Sequence, residues 1–327
     1  MPHWFQIIAP NIPQGVDPAW YYFCVGLAVL ITGISKAGFG GGVGILAIPV
    51  MALVVGPKEM LGITLPLLIA CDIFSNLHHI GFYDWSRLRP LLLGLTIGVI
   101  VGTGVLYAMS GKPPAQFNQI MNGVIGAICL GVVAMQAYRL TGREIPTLPP
   151  HPISAMSVGL LAGAVSTINH GAGPIVSVYL LQEKLEKRLL VGTLLLYFLI
   201  GNSIKVPTYL LLPFPPDHAP LINWRTLHDS IWFIPLIPAG TLLGAWMHHR
   251  IPEKLFAAIM YIAAGITAAT LIHKASPAVF YVVMGMSVVV FAGMMYWKKP
   301  GRPSSEGSPF RAPSKVDAVG RSPEGNE

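Results

Sequence analysis

The chain has 327 residues, 53% of them apolar and only 11% charged, with a mean hydropathy of +0.62. A soluble domain carries about 25% charge, so a soluble globular fold is excluded. The net charge of +7 comes from Lys and Arg scattered through short loops and the C-terminal tail. That distribution marks membrane topology rather than nucleic-acid binding.

Met1 to Gly15 carries no Lys or Arg, so no cleaved signal peptide is expected and residues 1–18 read as a short leading segment. The apolar segments that follow are Ala19 to Val55, Met60 to Ile80, Leu88 to Met109, Phe117 to Leu140, Ile153 to Leu181, Leu189 to Leu212, Ser230 to Met247, Leu255 to Ile272 and Pro277 to Tyr296. Most reach roughly the 17–25 residues that span hydrocarbon. The alternating strands of about ten residues that build a transmembrane barrel are missing. The expected fold class is all-α: a polytopic transmembrane helical bundle. After Lys298 the chain turns to Pro, Ser, Gly and charge, and residues 298–327 are expected to be disordered.

Two of the segments are interrupted. The first break is Gly38-Phe39-Gly40-Gly41-Gly42-Val43-Gly44, ahead of Pro49. The second is Asn169-His170-Gly171-Ala172-Gly173-Pro174. Ala19 to Val55 has 37 residues. As one helix at about 1.5 Å per residue it would overshoot a ~30 Å hydrocarbon core. A helix, a bend and a half-helix fit, as do a re-entrant hairpin and two short crossings. Two crossings would make the halves inverted.

The breaks sit at matching places in an internal repeat. At an offset of 133 residues, Gly26, Leu27, Gly38 and Gly40 fall on Gly159, Leu160, Gly171 and Gly173. At 139, Trp85, Leu88, Pro113, Phe117, Ile120, Met121 and Gly126 fall on Trp224, Leu227, Pro252, Phe256, Ile259, Met260 and Gly265. The expected organisation is repeat 1 over 19–141, repeat 2 over 152–273, each of four membrane segments, and an extra helix over 277–297. With each broken segment counted as one net crossing, nine Lys/Arg fall on inner loops against six on outer ones. That bias favours nine spans and an outside N-terminus.

Irregular backbone at membrane depth persists only where it is buried or lines a cavity, and matched breaks in two halves point to a transporter's binding site. Gly38, Gly40, Gly41 and Gly42 are expected to line substrate, because glycine lets a ligand approach the backbone. A half-helix starting there, or at Gly171 to Gly173, would aim free N–H groups at an anion. Close helix packing is the other use of such glycines. Lys36 and Lys205 lie in apolar surroundings, where a charge usually faces a cavity or a partner. By offset, Lys36 falls on Asn169 and Asn76 on Lys205, so each half offers one lysine and one asparagine. His170 has three open readings: substrate ligand, protonatable switch or packing residue. Asp72 is a candidate for ion pairing or for carrying a coupling proton. Cys24, Cys71 and Cys129 fall inside apolar segments without metal-site spacing, and no metal or cofactor is expected. Nucleotide, zinc-protease and nucleophile-elbow motifs are absent from the sequence, so an enzyme is not expected, and transport would be secondary or facilitated.

The stretch Gly33-Ile-Ser-Lys-Ala-Gly-Phe-Gly-Gly-Gly-Val-Gly-Ile-Leu-Ala-Ile-Pro49 resembles the signature of the TauE/SafE sulfite-exporter family. Gly159 to Pro174, then Gly201-Asn202-Ser-Ile-Lys205 and Tyr209, is similar to that family's second-half pattern. The resemblance implies a secondary transporter of sulfite, sulfoacetate or related organosulfonates in the inner (plasma) membrane. It places Gly38, Gly40, Gly41, Gly42, Pro49, Gly171, Gly173, Asn202 and Lys205 in the matching motifs. Lys36, Asn169-His170 and Pro174 depart from it. The rival expectations are a non-transporting membrane assembly protein and an intramembrane enzyme using Asp72 with His78.

Overall fold

The computed structural model describes residues 11–39, 44–77, 79–140, 148–149, 151–214, 218–250, 253–278 and 281. Gly40, Gly41, Gly42 and His78 lie outside the described residues. So do the 298–327 tail and, except for 277, 278 and 281, the expected helix over 277–297.

The described residues form helices and no named strand. Helix α1 is Pro18–Phe39, and a 3-10 turn at Gly44–Leu46 leads into the half-helix α2, Ala47–Met51. Then come α3 (Pro57–Asn76), α4 (Trp85–Ser110) and α5 (Pro114–Leu140). The second half runs α6 (Pro152–Asn169), α7 (Gly173–Gln182), α8 (Lys187–Leu211), α9 (Trp224–Phe233), α10 (Leu236–Arg250) and α11 (Glu253–Ala275). Seven of these are long and apolar enough to cross a membrane, and α9 with α10 makes an eighth, bent by 45°. The bend falls at Pro235, whose ring removes a backbone donor and breaks the helical ladder. The chain is a multi-pass membrane protein. Leu93, Ile97 and Ile100 on α4, and Ile259, Ile262 and Ile266 on α11, form exposed apolar stripes at helical spacing, as lipid-facing surfaces require.

Local sequence sets several helix ends. Asp84 caps α4 by accepting from the backbone of Ser86 and Arg87, and Asn223 caps α9 in a reciprocal capping box with Thr226. Burial pushes the Asp84 carboxyl up, but hydrogen bonds from the Ser86 hydroxyl and from Arg87 outweigh it and hold the group below its usual range. Arg87 also pairs with Glu183 at 2.9 Å, which ties the start of α4 to the turn after α7.

Each break turns the chain back on itself. Gly44 sits against Ser35, while Met51 lines the same small cavity as Ala28 and Val29, so α2 runs antiparallel to α1. Lys36 meets Leu68 and Asp72, and Ala28 and Val29 share that cavity with Thr64 and Leu67, so α1 and α3 point the same way. In the second half Gln182 Oε1 accepts from Leu148 N at 3.1 Å, which places the end of α7 beside the start of α6. The one-net-crossing count is therefore replaced: between two parallel helices the chain passes back once more in each half.

The helices pair by small residues. Gly26, Gly33 and Gly244 set α1 parallel to α10, facing Leu236, Gly240 and Ile34 respectively. Gly94, Gly98 and Gly102 of α4 face Met156, Leu160 and Ala164 of α6, again in parallel. Helices α3 and α8 cross antiparallel, with Asp72 at Asn202 and Asn76 at Leu195. Helices α5 and α11 are also antiparallel, with Gly123 at Ala275 and Gly126 at Ile272. Of the glycine pair Gly102 and Gly104, only Gly102 makes a close contact; Gly104 faces open space.

A Cβ on Gly159 would run into the backbone oxygen of Leu91. Gly159→Ala is expected to force α4 and α6 apart and lower the melting temperature in detergent by several degrees, in the range of about 1–3 kcal/mol for overpacking. Gly131→Ala, which meets nothing within 4 Å, is the control and should melt like the parent.

Candidate functional site

The last turns of α1 and α3, the middle of α8 and the end of α6 converge on one polar cluster. Lys36 Nζ donates to Asp72 Oδ1 and to the Leu68 carbonyl at 3.3 Å. Asn202 Nδ2 donates to Asp72 Oδ2 at 2.6 Å. Both carboxylate oxygens therefore have a donor, and Asp72 is fully buried. The ring of Phe198 lies 5.9 Å from Lys36 Nζ and supplies an apolar, electron-rich wall.

Across the cluster, Lys205 Nζ reaches Ser166 Oγ at 2.9 Å, the Ser166 carbonyl at 3.3 Å and His170 Nδ1 at 3.0 Å. Three acceptors match the three N–H bonds of an ammonium. His170 turns Nε2 toward the Leu61 carbonyl at 3.4 Å; with Lys205 as the donor at Nδ1, the ring carries its proton on Nε2 and is neutral. His170 ends α6 in the left-handed region, φ 57°, a conformation disfavoured for a residue with a Cβ and enriched at sites where the surroundings fix the backbone. Tyr209 braces that end by donating to the Thr167 carbonyl at 2.6 Å. Asn169, fully buried, accepts from Gly171 N at 2.9 Å and leaves its Nδ2 without a partner. Pro174 sits in the first turn of α7, where a missing N–H costs nothing.

Between these groups is a cavity of about 50 Å3, measured as the space open to the centres of water molecules. One water needs about 10–15 Å3 by that measure, so the space suits a few waters or one small ion. Its wall includes Lys36, His170, Gly171, Gly173 and Asn202. Lys205 stands behind His170 and Ser166, Asp72 behind Lys36 and Asn202, and Asn169 behind Gly171. Gly38 is in the last turn of α1. Asn76 is not brought to the cavity. Its amide donates to the carbonyls of Asp72 at 2.8 Å and Leu195 at 3.1 Å and stitches α3 to α8.

Sequence reasoning passed over Ser35, Thr32, Ser166 and Phe198, which also line the cavity. The signal was weak, because hydroxyls in apolar helices usually bond their own carbonyls, as Thr32 does to Ala28 at 2.8 Å. Ser35 differs. It is buried beside Lys36, and its Oγ has no partner.

Two lysines, one aspartate and one histidine meet here. Among the described residues, no carboxylate contacts Lys205. A lysine pair beside a half-helix N-terminus in a low-dielectric setting is an arrangement suited to negative charge.

The family model described as Sulfite exporter TauE/SafE matches residues 25–271, which include both breaks and every residue of the cavity wall. No curated protein and no solved structure matches the chain. With more than half of its length matched, and with helices long and apolar enough to cross a membrane, the chain belongs to the sulfite exporter TauE/SafE family of membrane transporters.

Proposed function

We propose that the chain is a secondary transporter, exporter or permease, of small anions such as sulfite, sulfoacetate or related organosulfonates in the cell's inner (plasma) membrane. The observation that carries this reading is the buried excess of positive charge: Lys36 and Lys205 against Asp72 alone, around a cavity of ion size. The site comprises Lys36, Asn169, His170, Gly171, Gly173, Asn202 and Lys205. Of the two proton-coupling candidates, His170 meets the cavity directly, while Asp72 is occupied at both oxygens and serves as a fixed counter-charge. No catalytic role is assigned to any residue.

The halves 19–141 and 152–273 act as inverted repeats in this proposal. The pairing of helices supports it: exchanging α1 with α6, α3 with α8, α4 with α10 and α5 with α11 turns the α1–α10 pair into α6–α4. The two pairs that map onto themselves, α3 with α8 and α5 with α11, are both antiparallel. A two-fold axis in the membrane plane requires that arrangement, and it would place the cavity near the midplane. Rocking one half against the other would give alternating access.

A packing-only role would need dry glycine contacts at the breaks, whereas Ser35, Lys36, His170 and Asn202 line open space there. Counterflow in proteoliposomes tests the reading. Preloaded sulfite, small sulfonates or carboxylates should drive exchange of a labelled anion. Exchange of a cation or lipid, with all of these anions inert, would replace the anion reading.

A further inference from the structure

We propose that the cavity selects by charge state, taking a monoanion and rejecting a dianion of the same shape, and that Asp72 sets this preference. The inference rests on the transport reading above and narrows its substrates to the singly charged ones, hydrogensulfite and simple sulfonates, over sulfoacetate, which carries two charges at neutral pH.

The ionisable groups that face the site come from four elements: Lys36 on α1, Asp72 on α3, Lys205 on α8 and His170 at the end of α6. With Lys36 and Lys205 as ammonium groups, Lys205 spends its three donors on three acceptors, and one of these is His170 Nδ1, so the imidazole is neutral. Asp72 takes a donor on each oxygen, as a carboxylate does. The phenol of Tyr209 is neutral and donates to a carbonyl. The sum is one net positive charge.

The remaining wall does not change that sum. Leu68, Ile48, Phe198 and Pro174 are apolar, and Ser35 offers a neutral hydroxyl that has no other partner. In such surroundings water does not screen the difference between one charge and two. A monoanion brings the site to zero, with the Ser35 hydroxyl and the α7 N-terminus left to hold its oxygens. A dianion leaves a buried negative charge with nothing to balance it. Asp72 is therefore more than a tether for Lys36. By cancelling one of two ammonium charges it lowers the site's capacity from two negative charges to one.

The test compares methanesulfonate with sulfate in proteoliposomes at one neutral pH, where the first carries one charge and the second two. The parent protein should exchange methanesulfonate about tenfold or more faster than sulfate. Asp72→Asn raises the site to two positive charges and should move the ratio toward sulfate by about tenfold or more. Lys36→Gln with Asp72→Asn returns the sum to one and should restore the parent's ratio. Thr32→Lys adds a cation on the cavity wall without touching the pair, so it supplies the same shift should Asp72→Asn not fold. Equal exchange of both anions by the parent overturns the inference, as does a ratio unmoved by either charge-adding variant. Exchange of neither anion, nor of any other, overturns the transport reading itself.

Discussion

Lys205→Met is expected to abolish anion exchange while leaving the protein as stable as the parent, or more so. The two halves of that expectation come from one fact. Lys205 is 1% exposed, and no carboxylate contacts it among the described residues, so its charge is desolvated without an ion-pair partner. Desolvating an ion costs several kcal/mol after relaxation. Methionine has nearly the same reach and volume and removes that cost. Of the three acceptors it strands, the Ser166 carbonyl also receives His170 N at 2.9 Å, the Ser166 hydroxyl can rotate, and His170 borders the cavity, where a water can serve its Nδ1. For the substrate the effect is opposite. The excess charge that attracts an anion is gone, and loss of a buried charge partner costs about 2–5 kcal/mol of binding, or thirtyfold and more. Counterflow and a detergent thermal melt on the same preparation check both signs. Exchange at the parent's rate would remove Lys205 from the site. A melt well below the parent's would make the lysine structural.

The helices and the two breaks were legible because both are local. Apolar runs, the glycines before Gly44 and the Asn169–Pro174 cluster report on backbone conformation within a few residues. The direction of the chain after each break was not legible, since nothing in Gly44 to Met51 says which way it points. That becomes visible only when Met51 lies beside Ala28 and Val29. Charge gave a mixed outcome for the same reason. Lys36, Lys205 and Asp72 stood out as ionisable groups in apolar sequence, yet the pairing of Lys36 with Asp72 joins residues in different helices. The two asparagines show the limit best. Asn76 and Asn202 read alike, as amides in spans, but Asn76 spends its amide on two carbonyls while Asn202 holds the carboxylate. The bend between α9 and α10 was legible in principle from Pro235. It was passed over because the segment as a whole is long and apolar enough to cross.

The second large effect is expected at the other lysine, with the opposite sign for stability. Lys36→Gln should destabilise the protein by about 3–5 kcal/mol, the usual result of removing one partner from a buried ion pair. Asp72 is 0% exposed, and without Lys36 its carboxylate keeps one strong donor, Asn202 Nδ2 at 2.6 Å. Adding Asp72→Asn should recover most of the loss, because an amide in that position needs hydrogen bonds but no counter-charge. The melt of the single and double variants against the parent measures this directly. A double variant no more stable than Lys36→Gln would mean that Asp72 is held by packing rather than by charge. The two lysines thus separate on one assay. Removing the paired one should weaken the fold and removing the unpaired one should not, because only Lys36 has a buried carboxylate that depends on it.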